Sequence, residues 1–155
     1  MKKKIILIML LIIIIDIIIK LLIDYNLELT KNIPIINNFF TLSKVYNTGA
    51  SWSILAGQQI LLIIITFILL GILWTYQKKF VMHNRNIVTF GLLYGGIIGN
   101  LIDRICNGYV IDYLDFQIFS YDFPVFNFAD ICIVFGVFLL LIAIYKKEDK
   151  NANNS

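Results

Sequence analysis

The stretch Phe126-Asn-Phe-Ala-Asp-Ile-Cys-Ile-Val-Phe-Gly-Val-Phe-Leu-Leu-Leu-Ile-Ala-Ile-Tyr145 carries a single charge, and that charge stands near its start. At about 1.5 Å of rise per residue, a run of ~20 apolar residues crosses a bilayer as a helix. Asp130 then sits at the bilayer edge, where a carboxylate is costly and usually marks function. A second acid, Asp112, lies upstream in Gly108-Tyr-Val-Ile-Asp-Tyr113. Polar and glycine residues gather in two further segments, Asn47-Thr-Gly-Ala-Ser-Trp-Ser53 and Gly95-Gly-Ile-Ile-Gly-Asn-Leu-Ile-Asp-Arg104.

Three more apolar stretches approach spanning length, at about 5–23, 60–76 and 87–106, beside the one at 126–145. With 59% hydrophobic residues over 155 positions and a mean hydropathy of +0.84, the chain is too apolar for an ordinary soluble domain. The expected fold is an all-α membrane protein, a single integral membrane domain over 1–155 with four transmembrane helices. Outer loops fall at 24–59 and 107–125, and a polar tail at 146–155. The first stretch follows Lys2-Lys-Lys4 in the manner of a secretory signal. Asp16 and Lys20 interrupt it and no small-x-small cleavage site follows, so it reads as an uncleaved span.

Basic residues give the orientation. Lys2, Lys3 and Lys4, then Lys78, Lys79 and Arg85, then Lys146, Lys147 and Lys150 lie on one side, against Lys31 and Lys44 alone in the long loop opposite. The positive-inside rule puts both termini in the cytoplasm. The candidate chemistry then lies at the outer face. These anchors account for the net charge of +3, and nothing calls for nucleic acid as a partner.

Within loop 24–59, Phe39-Phe-Thr-Leu-Ser-Lys-Val-Tyr46 partly alternates apolar with polar residues and reads as a strand. Tyr109-Val-Ile-Asp-Tyr-Leu-Asp-Phe116 has a matching β-branched and aromatic composition, so the two strands can pair above the membrane. Between them, residues 50–56 carry Trp52, Ile54 and Leu55 among small side chains and read as a short amphipathic segment lying at the interface. Gly91, Gly95, Gly96 and Gly99 recur at spacings of four and three, which lets a neighbouring helix approach closely.

Several polar residues admit a structural and a functional reading. Asp16 and Lys20 share a helix face and can pair, with Lys20 snorkelling outward; alternatively they support the active site. Asn127 and Asp130 have the spacing of a helix cap and its partner. Arg104, on a face where positive charge is disfavoured, calls for an acidic partner or a lipid phosphate, with Asp103 as part of that bracing. Asp115 and Asp122 read as solvated loop acids. Cys106 and Cys132 read as small buried hydrophobes, and no metal-ligand spacing or cofactor motif occurs. Two carboxylates brought close together share one proton, leaving one as acid and one as base toward a trapped water, which suffices to hydrolyse an amide. His83 lies on the cytoplasmic side, too far for a Ser-His or Cys-His arrangement.

In this order and topology, Asp16 to Lys20, Asn47-Thr-Gly-Ala50, Gly95 to Arg104, Val110-Ile-Asp-Tyr113 and Phe126-Asn-Phe-Ala-Asp130 closely resemble lipoprotein signal peptidase, the bacterial signal peptidase II family. The resemblance implies an aspartic endopeptidase of the bacterial cytoplasmic (inner) membrane. Such an enzyme cuts the signal peptide from a prolipoprotein just before its diacylglyceryl-modified cysteine. It implies Asp112 and Asp130 as the catalytic pair, and Asp16, Lys20, Asn47, Gly49, Trp52, Asn100, Arg104 and Asn127 as supporting or substrate-binding residues. It also implies a small extracytoplasmic β-cradle and interfacial helix, membrane phospholipids as surroundings, and sensitivity to globomycin-type cyclic peptides. Trp52 stands where Phe is common, and Tyr113 replaces the usual Phe after the first Asp; neither change removes a group the mechanism needs.

The alternative class is a small four-span ion or proton-coupled transporter relaying protons through Asp16, Lys20, Asp112 and Asp130. Polarity gathered on one side argues against it, since a transport path needs polar residues through both leaflets. A peptidase using Ser51 or Ser53 with Lys20 would need a desolvated lysine as base.

Overall fold

Each apolar stretch folds as a helix because only an internally hydrogen-bonded backbone is tolerated in hydrocarbon. The computed structural model describes residues 2–29, 31–50, 54–119 and 121–148. Four helices are long and apolar enough to cross a membrane: α1 (Lys2–Asn26), α2 (Gln59–Gln77), α3 (Asn84–Cys106) and α4 (Phe128–Tyr145). The last begins two residues later than its apolar stretch. Asn127 there is extended backbone (φ −131°) and caps the helix instead of joining it.

The bundle is organised around α3, which packs along both α1 and α4 and only lightly against α2. Glycines make these two seams. A Cβ on Gly95 would stand 2.7 Å from Ile12 Cβ of α1, one on Gly99 2.8 Å from Asp16 Oδ2, and one on Gly96 would collide with the Ala129 carbonyl oxygen of α4. The spacing of small residues in the third span therefore serves close helix approach, as expected. By contrast α2 exposes Ile60, Ile64, Phe67, Ile72 and Trp74, side chains that only lipid would solvate. At the end carrying Lys2–Lys4, Ile5, Phe80, Ile87, Phe90 and Ala143 form an apolar cluster. It is closed off by Glu148, which pairs with Arg85 and approaches His83 Nε2 at 2.8 Å.

The two expected strands are β2 (Phe40–Asn47) and β3 (Val110–Ile118), antiparallel with Phe40 opposite Phe116 and Tyr46 opposite Ile111. Two short strands extend the sheet to the order β1-β2-β3-β4: β1 (Ile33–Ile36) and β4 (Tyr121–Asp122). Pro34 cannot donate to a ladder, which suits β1 to the edge it occupies. The sheet is fastened to the start of α4. Tyr113 and Leu114 N–H groups both donate to the Phe126 carbonyl (3.0 and 2.8 Å), and the Phe116 and Phe126 rings stack with centroids 5.6 Å apart. The interfacial helix that the resemblance implies is not seen among the described residues. Residues 54–57 form a turn with Leu55 and Gly57 at positive φ, and Trp52, with Ser51 and Ser53, lies outside the described residues.

Candidate active site

Asp112 projects from β3 and Asp130 from the first turn of α4, and both line one cavity of about 1310 Å³. Asn47, Asn100 and Arg104 line the same end. Its lining also includes apolar side chains, among them Leu69 and Leu73 of α2 and Ile131 and Val134 of α4. The cavity exists because α2 stands apart from α4.

Three asparagines hold the carboxylates, and each is oriented through its own oxygen. Asn47 Oδ1 accepts from Gly49 N (2.8 Å), leaving Nδ2 to donate to Asp112 Oδ2 (2.8 Å). Asn127 Oδ1 accepts from Asp130 N (3.0 Å) while its Nδ2 donates to Asp112 Oδ1 (2.7 Å) and Asn100 Oδ1 (3.1 Å). Asn100 Oδ1 also accepts from Lys20 Nζ (3.0 Å), and its Nδ2 donates to Asp130 Oδ1 (2.8 Å). Every carboxylate oxygen of the pair therefore has a donor, since Asp130 Oδ2 accepts from Asn127 N (3.1 Å).

Asn127 and Asp130 do form a capping box, so the structural reading of their spacing holds. It does not compete with a chemical role. Reaching back to the Asn127 N–H fixes the Asp130 carboxylate at the cavity wall. Two remote side chains complete the helix start. Tyr113 Oη accepts from Phe128 N (3.1 Å), and Asp16 Oδ1 accepts from Ala129 N (3.1 Å). The N–H groups that a helix leaves unpaired at its start are thus satisfied from β3 and α1.

Lys20 does not snorkel. It is 2% exposed and turned inward, 2.7 Å from Asp16 Oδ2 and 2.9 Å from Asp103 Oδ2. A buried ammonium with two carboxylates and an amide oxygen in reach gains nothing by moving to the surface. Arg104 makes no direct ion pair among the described residues, although the charges of Asp130, Asp112 and Asp103 act on it. Its guanidinium donates to the carbonyls of Asn100 (3.4 Å) and Gly49 (3.0 Å), tying α3 to the loop after β2. Asp103 braces Lys20 rather than Arg104. Asp115 accepts from Ser43 Oγ (2.8 Å) and the exposed Asp122 from Gln117 Nε2 (2.8 Å), so both are held within the sheet. Cys132 is buried and Cys106 exposed. Sequence reasoning passed over Tyr113 as a neutral replacement, although its hydroxyl beside Asp112 was the available signal.

Burial pushes the Asp112 carboxyl up to about 7, and the nearby Asp130 charge adds to this; hydrogen bonds from Asn47 and Asn127 and the Lys20 charge pull the other way. One proton can thus reside on this pair near neutrality. Among the described residues no three His, Cys, Asp or Glu side chains come together as metal ligands would.

Residues 8–146 match the family model described as signal peptidase (SPase) II. The lipoprotein signal peptidase of Halothermothrix orenii is 41% identical over 133 residues, covering 86% of this chain and 89% of the relative. That of Staphylococcus aureus is 38% identical over 150 residues, covering 94% and 92%. A bacterial membrane enzyme solved by the in meso method at 2.3 Å superposes with a TM-score of 0.82 at 36% identity, covering 92% of this chain and 87% of that one.

Proposed function

The chain belongs to the signal peptidase II family, and on that premise we propose that it is an intramembrane aspartic endopeptidase removing the signal peptide of prolipoproteins N-terminal to a diacylglyceryl-modified cysteine. Membership makes it a protease, and the transporter reading is set aside. The observation that carries the aspartic assignment is the pair Asp112 and Asp130, facing one cavity with amide donors on every oxygen.

In this reading the pair shares one proton. The ionised carboxylate takes a proton from water as the water oxygen attacks the scissile carbonyl carbon, and the protonated one donates to the carbonyl oxygen. The tetrahedral intermediate collapses as the C–N bond breaks: the amine nitrogen receives a proton from one carboxyl while a hydroxyl of the intermediate gives one to the other, so the pair again holds one proton. Asn47, Asn100 and Asn127 hold the two carboxylates, and Gly49 and Arg104 hold the loop beside them. Asp16 caps the helix that bears Asp130. Trp52 is a further substrate-contacting residue in this reading.

The same reading places the protein in the bacterial cytoplasmic membrane with both termini in the cytoplasm and the site near the outer face, as the distribution of lysine and arginine supports. A diacylglyceryl group would bring the scissile bond to the depth of the pair, each buried CH₂ adding ~0.8 kcal/mol. The apolar walls of α2 and α4 suit the hydrophobic part of a signal peptide, and cyclic peptides of the globomycin type are expected to compete for the groove. The test is cleavage of a lipidated and an unlipidated precursor by the purified protein in phospholipid. Only the lipidated one should be cut, before its cysteine; equal cleavage of both would contradict the proposal.

A further inference from the structure

Lys20 lies outside the cavity lining, yet a hydrogen-bond chain runs from it through Asn100 to Asp130, crossing from α1 through α3 to α4. We infer that Lys20 is a positioning residue that sets which way the Asn100 amide faces and thereby keeps its NH₂ donor on Asp130. The inference rests on the dyad proposed above.

An asparagine side chain is nearly symmetric in shape but not in chemistry. Turned over, Asn100 would press its oxygen against the Asp130 carboxylate and its NH₂ against an ammonium, both unfavourable. An ammonium carries three N–H donors, and three acceptors surround Lys20 Nζ: Asp16 Oδ2 at 2.7 Å, Asp103 Oδ2 at 2.9 Å and Asn100 Oδ1 at 3.0 Å. The carboxylates neutralise the charge. The third donor, spent on a neutral amide, is what links this ion cluster to the site. Asn127 Nδ2 also reaches Asn100 Oδ1, but at 3.1 Å and as a neutral donor, so the charged donor is the stronger constraint. Losing Lys20 should therefore weaken the orientation rather than abolish it. The charged and titratable groups facing this region are Asp16 and Lys20 on α1, Asp103 and Arg104 on α3, Asp112 and Tyr113 on β3, and Asp130 on α4.

The test uses the full-length protein in phospholipid with a lipidated precursor. Lys20→Met should lower kcat by about 10- to 100-fold while KM stays within about twofold, because geometry at the reacting groups is disturbed and the groove is not. The double variant Lys20→Met/Asn100→Ala should match Asn100→Ala alone within about threefold, since a residue acting through Asn100 adds nothing once Asn100 is gone. The alkaline limb of the kcat profile should move to higher pH in Lys20→Met, because a positive charge that draws Asp112 down has been removed. If Lys20→Met does not accumulate, Lys20→Met/Asp103→Asn is read in its place. It leaves one fewer unpaired carboxylate, and its amide oxygen can still accept from Ile111 N.

On the unaltered protein, a solid-state NMR contact between Asn100 Nδ2 and the Asp130 carboxyl carbon is expected, whereas a contact from that nitrogen to Lys20 Nζ overturns the inference. Multiplicative losses in the double variant, or a changed KM with kcat and pH profile intact, overturn it too. Retained cleavage by Asp112→Asn would instead strike the dyad itself, and is thereby distinguishable.

Discussion

Two helical glycines, Gly71 in α2 and Gly96 in α3, occupy opposite worlds within one small bundle. A Cβ on Gly71 would meet nothing within 4 Å, whereas one on Gly96 would run into the Ala129 carbonyl oxygen. Ala129 immediately precedes Asp130, and its N–H is the one Asp16 caps. The seam between α3 and α4 thus sets the position of a candidate catalytic group to within a methyl group. Across the cavity, α2 sets nothing so tightly and serves as a wall. Precision in this protein is concentrated where α1, α3, α4 and the sheet meet.

That contrast can be broken most sharply at the carboxylates. Asp112→Asn and Asp130→Asn each keep the shape but remove the shared proton or the base and set an NH₂ against one of the amide donors, so each should lower kcat by about 10⁴-fold. The double variant should be little worse than either, as measured by turnover of a lipidated precursor; additive losses would mean that the two do not act as a unit.

Next comes the glycine pair. Gly96→Leu should reduce thermal stability by about 3 kcal/mol or prevent accumulation, through overpacking against a backbone that cannot yield, while Gly71→Leu should stay within about 0.5 kcal/mol. Thermal unfolding in detergent decides, and equal effects would erase the distinction between seam and wall.

The pH dependence sharpens the comparison further. Activity should fall along an alkaline limb as pH rises through about 7, where the proton on Asp112 is lost, with the observed value belonging to the coupled pair. The stability sign follows from the same group. Its proton is bound more tightly in the folded state than at the ordinary 3.8, so this contribution is full at low pH, is lost as pH rises toward about 7 and is flat above. Denaturation followed from pH 4 to 9 would show no slope from this group if Asp112 were ionised throughout.

The smallest effect is expected at Tyr113→Phe. One hydrogen bond to Phe128 N disappears, costing about 1 kcal/mol of stability with cleavage retained. A loss of activity comparable with that of Asp112→Asn would make the phenol a participant in the reaction.

The four spans were legible because hydrocarbon imposes one length and one pattern, and β2 and β3 because their aromatic and β-branched runs had no other use. The capping relation of Asn127 and Asp130 was legible because it is local. What escaped the sequence was the partner of a charge. The pairing of Lys20 with Asp16 follows from helical spacing, but its link to Asp103 depends on Gly99 admitting α1 against α3, which no local pattern states. The snorkelling expected of Lys20 failed for the same reason. The strand β1 was missed because Pro34 argues against a strand except at an edge, and which strand forms the edge is a property of the assembled sheet.

The gap between α2 and α4 has a kinetic consequence. On the proposed function, a precursor need never leave the bilayer to reach the carboxylates; it arrives sideways, by diffusion in a plane. Its encounter frequency then depends on molecules per unit area of membrane rather than on concentration in volume. Adding empty phospholipid or detergent at constant amounts of enzyme and precursor would slow cleavage by surface dilution alone, and precursors would compete with one another according to their crowding in the leaflet.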